Sequence, residues 1–223
     1  ELGNNKYTNL SISLETFLEY RDKGENSEYI CELIRNDSVE EFITYINKNN
    51  ISINSRINES KFETNLFLIG QKPLLIEYSA FFGSIQIFKY LKMNEAKMKS
   101  NLWLYAVHSN NAEIINLLVE NEIKPKNDSY NICLVESIKC HHNEISKYIM
   151  DNLLDDEKKK KYPIYLSDDE IELDQAPIFY HNYIFFPDDV KSLSNLFFDL
   201  LDNDYSKLAE YINNETHFFT YYE

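Results

Sequence analysis

The chain has 223 residues, 43% hydrophobic and 14% aromatic, enough apolar material for a sizeable core without covalent staples. Its formal net charge of −15, from 37 acidic against 22 basic residues, argues against a nucleic-acid backbone or an anionic membrane as partner. Four singly scattered glycines exclude a phosphate-cradling loop, and three cysteines without framework spacing point to reduced thiols in the cytosol or nucleus rather than a disulfide scaffold.

The opening residues, Glu1-Leu2-Gly3-Asn4-Asn5, carry neither an initiator Met nor a signal pattern and read as the start of a fragment cut from a longer chain. The first predicted element is an amphipathic helix over Ser13–Arg21 with Ser13 as N-cap, placed within a capping region spanning 1–27. Residues 28–45 then show apolar positions three and four apart on both sides of Asp37, which reads as two short helices joined by a turn. Between 51 and 69 lies an insertion of which only Asn65–Ile69 is expected to be ordered.

From Leu75 the same pattern recurs with a clear period. Leu75–Leu91 is followed 27 residues on by Leu102–Leu118, and a further 31 residues on by Cys133–Ile149. A fixed period in this range signals stacked supersecondary units, each unable to bury its apolar face alone. Gly83, Asn110 and His141 punctuate the three copies as Asp37 punctuates the weaker one, and these residue types tolerate left-handed backbone best. The array is therefore expected over 28–154, as about four helix pairs.

Past Leu154 the composition shifts. Residues 155–194 read as an acidic linker with an aromatic segment: Asp155-Asp156-Glu157, four lysines at 158–161, then the acidic run from Ser167 to Asp174. The lysine tetrad admits a nuclear-import or anion-binding reading, though it sits beside three acids. In 195–223, Phe198–Asp204 and Leu208–Asn213 parallel Cys31–Asp37 and Phe42–Asn47, the start of a further, truncated repeat. Its unstacked apolar residues, Leu196, Phe197, Leu200 and Leu201, would favour weak self-association.

Leu75–Leu91 resembles the ankyrin repeat pattern Thr-Pro-Leu-His-x-Ala-Ala-x-x-Gly-His-x-x-x-Val-x-x-Leu-Leu, with Ala80, Gly83, Ile87, Phe88 and Leu91 in place. The abundance of Asn, Ile, Lys, Phe and Tyr looks like the divergent ankyrin families of unicellular parasites. Leu75 stands where Pro is usual, and Glu77, Leu104 and Val135 where His is usual. The resemblance implies an all-α, ankyrin-like α-solenoid of stacked helix pairs with shortened or irregular inter-repeat turns. It further implies a non-catalytic scaffold that binds a protein or peptide and needs no cofactor. Carried over residue by residue, its binding positions are the two before each turn: Phe81 and Phe82, His108 and Ser109, Lys139 and Cys140. Trp103, the single tryptophan, is either a binding hot spot or a core filler.

Other chemistry is thin. Cys140-His141-His142, with Cys133 a heptad earlier, has soft metal-ligand types, but His141 is already explained as a turn residue and no second pair lies nearby. His181 could serve as a general base with Asp168, Asp169 or Glu170 as carboxylate partner, yet no nucleophile motif accompanies it. Neither a metal nor a catalytic residue is therefore assigned. The rival readings are a regulatory or metal-binding fragment of a larger enzyme and a self-associating structural module. Lys97, Lys99, Lys124 and Lys126 form basic loops, a contact for an acidic partner or ordinary solvated lysines.

Overall fold

A computed structural model of the chain describes residues 13–154, 164–166, 169–171, 176 and 180–185. Among them are nine α-helices: α1 (Leu14–Lys23), α2 (Tyr29–Arg35), α3 (Val39–Lys48), α4 (Leu75–Phe82), α5 (Ile85–Met93), α6 (Leu102–His108), α7 (Ala112–Glu120), α8 (Asn131–Lys139) and α9 (Asn143–Asn152). The residues read as lysine tetrad and as truncated repeat lie outside the described residues. Among the described residues, Arg56 and Leu74 form an isolated antiparallel bridge, and a short hairpin overlaps the start of the acidic run. There β1 (Ile164–Leu166) pairs antiparallel with β2 (Asp169–Ile171), with Ile164 opposite Ile171. No helix among the described residues is long and apolar enough to cross a membrane.

The chain divides into two compact units, residues 1–98 and 99–223. In the first, α2 and α3 form one pair and α4 and α5 another; α2 packs on α4 and α3 on α5. Ile34, Phe42, Ile76, Ile87, Phe88 and Leu91 are fully or almost fully buried between them. In the second unit α6 pairs with α7, α8 with α9, and α6 packs on α8, while β1 lies against α8.

Each pair turns on the residue that the sequence marks. Asp37 has φ 50°, Gly83 71°, Asn110 51° and His141 56°, all left-handed. The chain must reverse within three residues there, and a left-handed residue satisfies the last helical carbonyls while redirecting the backbone. A second set of left-handed residues, Asn50, Glu95 and Glu122, closes the other ends of the pairs. Just before each, an asparagine amide donates to the carbonyl four residues back: Asn49 to Tyr45, Asn94 to Tyr90 and Asn121 to Leu117.

Helix α1 starts as expected, with the Ser13 hydroxyl accepting from the Thr16 N–H at 3.1 Å. It buries no residue and is held through Phe17 and Tyr20, whose rings meet Phe62 edge-on. That contact corrects the expectation for the insertion, whose order extends well beyond Asn65–Ile69. Ile57, Phe62 and Leu68 are buried, the Ile57 N–H donates to the Pro73 carbonyl, and the Thr64 N–H and hydroxyl both donate to the Gly24 carbonyl. Gly24 itself has φ 64°, and a Cβ there would meet Thr64 Oγ1 at 2.7 Å. These anchors are long-range backbone contacts, which leave no hydrophobic period in the sequence.

Candidate functional site

The contact that joins one helix pair to the next is the same wherever the described residues show it. The residue immediately after the left-handed turn sends its side chain back to a carbonyl of the preceding pair, three residues before that pair's own turn. In the first unit the Ser84 hydroxyl donates to the Ile34 carbonyl at 2.5 Å. In the second, His142 Nδ1 lies 2.7 Å from the Val107 carbonyl. Asp37 reinforces the first junction from the other side, its two carboxylate oxygens accepting from the Gln86 and Ile87 N–H groups at 3.0 Å each. It supplies the N-terminal cap that α5 lacks from Ser84.

The pattern continues past the last predicted pair. His181 has φ 55°, and the Asn182 amide donates to the Ile138 carbonyl at 2.9 Å and to Asn143 Oδ1 at 2.8 Å. A short 3-10 turn, Tyr183–Phe185, follows. His181 is exposed and occupies the turn position, which gives it a backbone role; Asp168, one of the carboxylate partners considered for it, lies outside the described residues. The signal was present in the sequence as His181-Asn182, parallel to Asn110-Asn111 and His141-His142, but it lies 40 residues from the previous turn, in a segment without the preceding periodic helix.

The expected binding positions divide into buried and accessible residues. Trp103 is 0% exposed; its indole N–H donates to the Ile123 carbonyl and its ring meets Tyr130 edge-on at 5.0 Å, so it is a core filler. Phe81, 8% exposed, stacks on Phe67 at 5.7 Å and is likewise a packing residue. Phe82 is half-buried, with the Arg35 guanidinium 6.0 Å from its ring centroid. His108, Ser109 and Cys140 are half-buried and Lys139 is exposed. Lys97, Lys99, Lys124 and Lys126 are exposed as well.

Within the second unit, three of these positions meet around a residue that the sequence reading missed. Glu136, on α8, is 4% exposed. His108 Nε2 lies 3.0 Å from its Oε1 and Lys139 Nζ 3.3 Å from the same atom. The other ring nitrogen of His108 lies 3.4 Å from Cys140 Sγ. Burial works against the Glu136 carboxylate, but His108 and Lys139 outweigh it and hold the carboxyl below its usual range. Burial pushes the Cys140 thiol up to about 11, and Cys31 and Cys133 up to about 12. None of the three is poised as a thiolate nucleophile at neutral pH.

The contiguous triplet Cys140-His141-His142 does not converge. The turn at His141 sends that residue outward, His142 is directed to the Val107 carbonyl, and only Cys140 joins the cluster with His108 and Glu136. The chain matches no protein-family model, no curated protein and no solved structure.

Proposed function

We propose that this protein is a non-catalytic protein–protein interaction scaffold built from ankyrin-like helical repeats. The observation that carries this reading is the recurring junction: Ser84 on Ile34 in the first unit, His142 on Val107 and Asn182 on Ile138 in the second. Bonds of this kind fix successive pairs against one another within each unit. Rigid stacking within a unit then holds the side chains beside its turns in place, so little ordering entropy is lost when a partner docks. In α4 the buried Glu77 accepts from the Leu74 N–H at 2.7 Å and closes the helix start, at a position where the ankyrin pattern has histidine.

The partner is a protein or peptide and the compartment the cytosol or nucleus, in keeping with the acidic surface and the unpaired cysteines. Contacts are expected at the accessible turn-flanking residues: Phe82 in the first unit, and Ser109, Lys139 and the His108 edge in the second. Photo-crosslinking tests this. A benzophenone side chain at position 82, 109 or 139 should capture a common protein in cells, while one on the outer helices, at Gln86 or Lys147, should not. Equal capture from all positions would remove the assignment of the binding face.

A further inference from the structure

We propose that His108, Glu136 and Cys140 form a binding site for a zinc-like divalent cation, bridging two successive helix pairs of the second unit. The donors come from α6 and from both the body and the end of α8, so the site exists only when the two pairs are stacked. Each residue offers one ligand atom, and the three atoms lie within 4.8 Å of one another. A tetrahedral ion with bonds of about 2.0–2.3 Å needs donor separations of about 3.5 Å, so the cluster has to tighten by only about 1 Å.

The chemistry of the set is selective. A thiolate, an imidazole and one carboxylate suit zinc, whereas calcium and magnesium require oxygen donors. Glu136 supplies an independent indication. Its side chain is 95% buried, and among the described residues Oε1 is held by charge without an aligned hydrogen bond. A buried carboxylate oxygen in that state marks a place where a cation is favoured.

His108 already faces the other two residues, presenting Nδ1 to the sulfur and Nε2 to the carboxylate. A turn of the ring about its Cβ–Cγ bond directs one nitrogen between them. Lys139 Nζ is the present counter-charge at Glu136 and also lies 5.9 Å from the Tyr180 ring centroid; its side chain is 46% exposed, so it can turn to solvent as the ion enters. Binding converts the Cys140 thiol to thiolate and releases its proton to water. Three protein ligands leave a fourth position for water, as zinc sites with an open position do.

The test is cobalt titration of the intact chain, followed by the near-ultraviolet absorption of a thiolate–cobalt bond, with zinc competition. One equivalent of cobalt should produce the band and zinc should abolish it. Cys140→Ser should lose the band, and Glu136→Gln should weaken binding by at least about tenfold, the least expected when a site loses a direct ligand. His141→Asn, which keeps a residue tolerant of the left-handed turn, should bind as the wild type does. If Cys140→Ser does not fold, alkylation of the wild type decides: one equivalent of zinc should protect Cys140 from iodoacetamide. No band and no protection would overturn the site, and so would a band that survives loss of Cys140 or is lost in His141→Asn.

Discussion

Asn182 reaches back 44 residues to Ile138, its 2%-exposed amide donating to that carbonyl at 2.9 Å and to Asn143 Oδ1 at 2.8 Å. One side chain thus ties the segment after the hairpin to the turn between α8 and α9. Replacing it with alanine removes both bonds, leaving the Ile138 carbonyl to the His141 N–H, at a cost of about 1–3 kcal/mol. Asn182→Ala should lower the melting temperature by about 2–4 °C for each kcal/mol lost. Hydrogen exchange should quicken first in α8 and α9.

Asp37 makes two contributions, a left-handed turn and a cap on α5. Asp37→Asn keeps the tolerance of positive φ and one acceptor oxygen, whereas Asp37→Ala loses both. Urea unfolding should therefore rank wild type above Asn and Asn above Ala, with the alanine variant about 1–3 kcal/mol down. An alanine variant as stable as wild type would show that Ser84–Ile34 alone holds the junction.

Asn110 tests the turn itself, because its φ of 51° is the demand and its side chain is exposed. Asn110→Gly should fall within about 1 kcal/mol of wild type, and Asn110→Val should cost about 1–3 kcal/mol, since a β-branched residue is strained there. Thermal unfolding of the two variants side by side reads the difference.

The turns were legible in the sequence because Gly83, Asn110, His141 and Asp37 each interrupt an apolar period with a residue suited to positive φ. The Ile51–Ile69 segment was not, since its order rests on Thr64 meeting the Gly24 carbonyl and Ile57 meeting that of Pro73, pairings with no local trace. Glu136 was missed for a similar reason. It lies on an otherwise apolar helix face beside Val135, and its partner His108 sits one repeat earlier, whereas adjacency in sequence drew attention to His141 and His142. What covers a side chain is not legible from its position relative to a turn: Phe67 stacks on Phe81, and Tyr130 meets Trp103, whose role as hot spot or core filler the sequence leaves open.

Glu136 also sets a pH dependence. Its folded carboxyl is held below the usual range, so its contribution to stability is present above the unfolded carboxylate value and is lost as pH falls through the folded one. Wild type should exceed Glu136→Gln in melting temperature at pH 7, and the gap should close towards pH 3. A gap that widens on acidification would mean that the charged form is not favoured by folding.

The scaffold reading is tested most directly by affinity capture with the intact chain as bait, beside Phe82→Ala and Lys139→Glu baits of wild-type helical content. The account predicts that one or more proteins retained by the wild type are lost with at least one of these variants. Retention of the same proteins by all three baits, or of none by any, would contradict it.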